Sequence, residues 1–193
     1  MNIKLLMVVA SLLSLASLPV HAHTGLGTVH GFIDGLLHPL MGIDHLLVML
    51  AIGLWAARLA GRALWMVPCS FFIAMAAGAG LHYMGFMINA AETWVAVSVL
   101  ASGCLLLKNY RFSSSFAIAI AAGFAISHGY VHAAELQIGA DVVEYVIGFL
   151  LTTAVLHGLG IAVGLSGTDR LKTINTAFGL FCAVEGMTLL VGV

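Results

Sequence analysis

The chain has 193 residues, 62% of them hydrophobic and 8% charged, with a mean hydropathy of +1.11. A soluble domain, at about 25% charged residues, is excluded, and so is a disordered chain. Seven Lys/Arg against eight Asp/Glu, a net charge of -1, leave no basic footprint, so nucleic acid is not a partner.

Processing comes first in chain order. Residues 1–4 carry one Lys, residues 5–18 are apolar, and Pro19, Val20, His21 and Ala22 end in a Val-x-Ala pattern suited to signal peptidase. The apolar stretch falls short of the roughly 20 residues a span needs. Residues 1–22 are therefore expected to be a cleaved signal peptide, and 23–193 the mature domain. Cleavage would place His23 at the new N-terminus, where amine and imidazole can chelate a divalent metal, although a flexible, unligated tail is the plainer expectation.

Six apolar segments follow, at about 39–57, 64–84, 90–107, 116–134, 142–165 and 173–193. Each is near span length at about 1.5 Å rise per residue. Lipid allows only helices or closed barrels, and the period-2 alternation of a barrel is absent. The expected fold is thus an all-α integral membrane protein, with six transmembrane helices in one bundle in the lipid bilayer. Cys69, Cys104 and Cys182 lie far apart inside apolar runs, without the close pairs of a zinc site or disulfide framework, and read as small core residues. Gly160 and Gly164 match a small-xxx-small helix contact.

Orientation follows from the basic residues. With the mature N-terminus outside, the breaks between segments alternate inside and outside. Arg58 and Arg62 fall in the first break, Lys108 and Arg111 in the third, Arg170 and Lys172 in the fifth. Every Lys/Arg of the mature chain then lies inside, as the positive-inside rule requires, and the C-terminus lies outside. Trp55 and Trp65 near the inner boundary and Tyr83 and Trp94 near the outer one are placed as interfacial belts or as ordinary packing.

Ionisable groups deep in a bilayer cost a few kcal/mol or more unless paired or hydrated, which makes those inside the spans informative. His38, Asp44 and His45 lie in the outer half of the first segment, His82 ends the second, Glu92 opens the third, and His128, His132 and Glu135 end the fourth. All fall toward one membrane face. His128, His132 and Glu135, at i, i+4 and i+7, share one helical stripe, where two imidazoles and a carboxylate can meet one ion. His38 and His45, seven apart, are nearly eclipsed on a helix that Pro39 is expected to start, which would put His38 at a helix mouth. Asp44, about 100° around, can ligate or orient an imidazole. Met41 and Met49 flank His45 and read chiefly as filler. His157 in the fifth segment reads as an interhelical hydrogen-bonding residue or a relay, and Glu185 in the sixth as a protonated packing residue or a relay. Asp34, Asp141, Glu144 and Asp169 sit at segment edges and read as solvated charges.

The stretch His38-Pro39-Leu40-Met41-Gly42-Ile43-Asp44-His45 resembles the His-x5-Asp-His motif of the HupE/UreJ family of nickel and cobalt permeases. The stretch Ser127 to Glu135 is similar to that family's second motif, Phe-His-Gly-x-(Ala/Val)-x-Gly-x-Glu, and matches it at His128, Gly129, Val131 and Glu135. It departs at Ser127, where the motif has Phe, and at Ala133, where it has Gly. Glu92 also resembles an acidic position at the start of the family's third helix.

The resemblance implies a secondary importer of Ni2+ or Co2+ in the bacterial inner membrane, with the metal as transported substrate, no permanent cofactor, and hydrogenase or urease maturation proteins downstream. His38, Asp44, His45, His128, His132 and Glu135 would bind the ion, and His82 and Glu92 would guide its approach. His157 and Glu185 are candidate relay groups, and the chain has no Gly-x4-Gly-Lys-Ser/Thr loop of an ATPase. Two other classes use the same residues. One is an intramembrane zinc-dependent hydrolase with Asp44 as base; the other is a haem-b carrier with axial histidines.

Overall fold

The structure, a computed structural model, describes residues 31–108, 112–136, 141–166 and 171–192. The expected signal peptide, His23, Arg111, Asp169 and Arg170 lie outside the described residues. Those residues form seven helices and no strand: α1 (Phe32–Met41), α2 (Ile43–Leu59), α3 (Ala63–Tyr83), α4 (Ala91–Leu107), α5 (Ser114–Glu135), α6 (Val142–Leu165) and α7 (Leu171–Gly192). Helices α3, α5, α6 and α7 are long and apolar enough to cross a bilayer, α4 is a shorter apolar helix, and α1 with α2 passes the same test as a pair bent by 82°.

That bend corrects the sequence expectation of one straight first span over 39–57. Pro39 lies inside α1 instead of starting a helix, and the break falls at Gly42, whose backbone is extended at ψ 114. An extended residue interrupts the hydrogen-bond ladder, and α2 starts afresh with Leu46 N–H donating to the Gly42 carbonyl at 3.0 Å. His38 consequently belongs to the last turn of α1, where backbone carbonyls favour a cation, and not to a helix mouth.

Helix α2 is the central post. Twelve of its seventeen residues are buried, and it touches every other described helix. Around it, α2 and α6 run side by side in the same direction, with Gly53 against His157 and Gly164 against Ala57, so the expected small-residue contact at Gly160 and Gly164 forms. Helices α3 and α5 are also parallel, since Ser70 approaches the Ile118 carbonyl at one end while the His82 and Tyr130 rings lie 5.2 Å apart at the other. A Cβ on Gly129 would run into the Met75 carbonyl at their crossing. Helix α4 meets α7 antiparallel, with Gly103 on Ala183 and Gly186 on Leu100.

The outer surface is apolar. Val143, Ile147, Leu151, Val155 and Leu159 form an exposed stripe at every fourth residue of α6, and Ile73, Trp65 and Met87 are similarly exposed. This inversion of a soluble protein's surface, on helices of span length, makes the chain a multi-pass membrane protein. Cys182 is buried as expected, whereas Cys69 and Cys104 face outward, where thiols meet lipid as small apolar groups. Trp55 is no belt residue; it is 2% exposed and packs edge-on against Phe112, while Trp65, Tyr83 and Trp94 face outward.

The helix directions separate the charges. Arg58 ends α2, Arg62 precedes α3, Lys108 follows α4 and Lys172 opens α7, all at one end of the bundle. At the other end lie Asp34, His38, Asp44, His82, Glu92, Glu135 and Glu144. Asp34 is in the first turn of α1, at its edge, and Asp141 caps α6 by accepting the Glu144 N–H at 3.1 Å.

Candidate metal centre

Three helix ends converge on one point. The last turn of α1 brings His38, the first turn of α2 brings Asp44 and His45, and the last two turns of α5 bring His128, His132 and Glu135. His38 and His45 meet through the bend at Gly42, at 6.1 Å between ring centroids, and not by eclipsing on one continuous helix. A Cβ at Gly42 would stand 2.8 Å from Asp44 Oδ1 and 2.9 Å from His45 Nδ1, so glycine at the break leaves room for that pair.

The convergence forms two triads. His45, His128 and His132, all buried, offer ligand nitrogens within 4.8 Å of one another, and His38, His132 and Glu135 do the same closer to the surface. Two ligands each about 2.1 Å from one ion in a tetrahedral shell lie about 3.4 Å apart, so shifts of about an ångström or less per ligand close either set. His132 belongs to both. Its ring stands 4.1 Å from that of His45 and 4.6 Å from that of His38. Glu135 Oε2 lies 3.5 Å from both His38 Nε2 and His132 Nδ1, and the His38 and Glu135 side chains are 27% and 24% exposed. Phe149 packs 4.5 Å from the His132 ring and walls the site on the α6 side.

Hydrogen bonds decide which nitrogens keep a bare lone pair. Asp44 Oδ1 accepts from His45 Nδ1 at 2.7 Å and from the His45 backbone N–H at 2.8 Å. The His45 hydrogen therefore sits on Nδ1, leaving a lone pair on Nε2. Ser98, on α4, donates its one hydrogen to the Val95 carbonyl at 2.6 Å, so its oxygen accepts from His128 Nε2 at 2.8 Å. The His128 lone pair is thus on Nδ1. His45 Nε2 and His128 Nδ1 are both buried and have no hydrogen-bond partner among the described residues. The two rings stand 4.6 Å apart between centroids, and bare imidazole nitrogens are ligands that a borderline divalent cation such as nickel, cobalt, zinc or copper binds.

The remaining expected residues lie apart. Asp44 orients His45 and belongs to neither triad. His82, beside Tyr130, and the exposed Glu92 sit at the same end of the bundle but join neither triad. Met41 is 82% exposed, pointing away, while Met49 is core. His157 and Glu185 are buried in mid-helix; the His157 bond runs to its own helix, at Thr153, and not between helices. Of the two departures from the second motif, Ser127 bonds the Phe124 carbonyl at 2.8 Å and Ala133 is buried. Sequence reasoning missed Ser98, since a hydroxyl in an apolar run acquires meaning only from its partner on α5; its place one turn before Ser102 was the available signal.

The chain has relatives among known proteins. The profile of the family described as HupE / UreJ protein matches residues 10–189. Protein HupE of Rhizobium leguminosarum bv. viciae is 37% identical over 173 residues, covering 89% of this chain and 90% of that protein. No solved structure matches the chain.

Proposed function

Because the chain belongs to the HupE/UreJ family, a family of permeases and not of enzymes, we propose that it is a secondary importer carrying Ni2+, with Co2+ as the related cargo, inward across the bacterial inner membrane. The hydrolase alternative lapses with family membership. One observation carries the direction of transport. The two triads lie toward the end of the bundle opposite Arg58, Arg62, Lys108 and Lys172, and the positive-inside rule assigns that basic end to the cytoplasm. In this reading α1–α2 counts as one bent span and α4 as a short one, giving six crossings with both mature termini outside after removal of residues 1–22.

The geometry supports capture in two stages. His38, His132 and Glu135, partly exposed, would exchange for water of the arriving ion, and the Glu135 carboxylate offsets part of its charge. His132 would then pass the ion to His45 and His128, whose lone pairs Asp44 and Ser98 have already aimed. His82 and Glu92 would draw the ion toward the mouth. Delivery to hydrogenase or urease maturation proteins is the destination proposed.

Radioactive nickel uptake by cells expressing the wild type or His45→Ala at matched membrane levels, with cobalt and zinc as competitors, tests the reading. Uptake by the wild type, competed by cobalt and lost in the variant, is the expected result. Correctly inserted wild type that imports no more than vector controls would overturn it.

A further inference from the structure

Ring contacts continue inward past both triads. From the partly exposed His38 they run to His132 at 4.6 Å, to His45 at 4.1 Å and to His128 at 4.6 Å between centroids. The next ring is Phe71, 6.1 Å from His128, and beyond it lies His157, 5.2 Å from Phe71. Phe71 is 0% exposed and His157 2%. The His157 carbonyl lies against Gly53, which is eight residues beyond His45 along α2, or about 12 Å further in at ~1.5 Å per residue.

His157 differs from a packing histidine in its hydrogen-bond accounting. Its Nδ1 lies 2.8 Å from the Thr153 carbonyl, which can only accept, so the ring hydrogen is on Nδ1. Nε2 then carries a bare lone pair that is buried and has no hydrogen-bond partner among the described residues. The rings of Phe71 and Phe72, 5.2 and 5.5 Å away, flank it. A buried polar atom left open between two apolar rings calls for a guest or a function.

We propose that His157 is an inner coordination station for the transported divalent cation, separated from the outer histidines by Phe71, whose ring swings aside when the ion passes. The proposal rests on the importer reading above and extends its path toward the cytoplasmic end. An ion leaving three imidazoles cannot rest in an apolar stretch. An imidazole on the far side of Phe71 gives it one ligand there, with water completing the shell, and so shortens the interval in which the protein holds no part of it. A borderline divalent ion suits that exchange, since imidazole binds it without holding it irreversibly.

Two quantities separate this role from a structural one. They are equilibrium nickel binding to purified full-length protein in lipid nanodiscs, and nickel uptake into proteoliposomes. In His157→Phe uptake is expected to fall about tenfold or more because the inner ligand is gone, while the outer histidines still bind nickel, which also shows that the variant folds. His157→Cys is expected to keep uptake and to shift competition toward cadmium, a soft ion that thiolate favours. Wild-type uptake rates in His157→Phe, or an unchanged competition profile in an active His157→Cys, would overturn the inner station while leaving the importer reading intact. Failure of the wild type itself to import nickel would sink both.

Discussion

The two ends of the bundle are built on opposite rules. At the basic end, helices meet through glycine, alanine and aromatic packing, as where Gly164 rests on Ala57 and Trp55 on Phe112, and the charges stay at the rim. At the other end a helix is broken at Gly42, imidazoles and carboxylates replace apolar side chains in the core, and buried imidazole nitrogens have no hydrogen-bond partner among the described residues. The packed end holds the helices together, and in the importer reading this allows the broken end to keep polar groups that a cation would satisfy.

The largest effect should come from the residue that the broken end uses twice. His132→Ala removes a ligand from both triads, and nickel uptake at matched membrane levels is expected to fall to vector background. Glu135→Gln touches the outer triad alone and should retain measurable uptake with a raised half-saturating nickel concentration. Equal losses in the two variants would dissolve the distinction between an outer and an inner triad.

Ser98→Ala should come next. It removes the acceptor of the His128 Nε2–H and with it the bias that aims Nδ1 into the site. Loss of such an orienting partner typically lowers metal affinity by about 10–100-fold, to be measured by nickel titration of the purified protein. Ser98→Thr keeps the hydroxyl and should restore binding to near the wild-type level. If Ser98→Ala bound nickel as the wild type does, the tautomer argument would fail.

How far the sequence alone reached follows the same division between local and long-range. His128, His132 and Glu135 were legible because their spacing within one uninterrupted helix already sets their common face. The break at Gly42 was not. Residues on both sides of it are apolar, and Pro39 reads as a helix start unless the preceding turns are known to pack against α6, where Gly35 lies on Tyr145. The spacing therefore groups His38 with His45 on one continuous helix, whereas the break at Gly42 is what brings their rings together. Ser98 and Phe71 take their roles from α5 and α6, so no pattern inside their own segments announces them. Trp55 and the two outward cysteines show the converse. Position along a span predicts depth in the membrane, but which side of the helix meets lipid depends on neighbours that pack against it.

A change in the glycine packing between α2 and α6, away from the broken end, should move stability and leave affinity alone. Gly160→Ala places a methyl group against the Leu50 carbonyl and 3.0 Å from Gly53 Cα, an overpacking of two helix backbones that costs about 1–3 kcal/mol. Thermal unfolding in nanodiscs should show the loss, while the nickel affinity of the folded fraction stays as in the wild type. A weakened affinity with unchanged unfolding would mean that the two ends are not separable.

The smallest effect belongs to the rim of the broken end. Glu92 opens α4, exposed, at the end where the triads lie but in neither of them. A charge so placed acts on an approaching cation through its field, which raises the local ion concentration without adding a ligand. Glu92→Gln should therefore slow uptake by about twofold at low salt and subsaturating nickel, where encounter limits the rate. It should leave the saturated rate and the equilibrium affinity unchanged. At about 1 M ionic strength, where screening acts over about 3 Å, wild type and variant should coincide. A deficit that survives high salt would instead mark Glu92 as a ligand and extend the binding site from the helix ends at His38, His45 and His132 to the rim of α4.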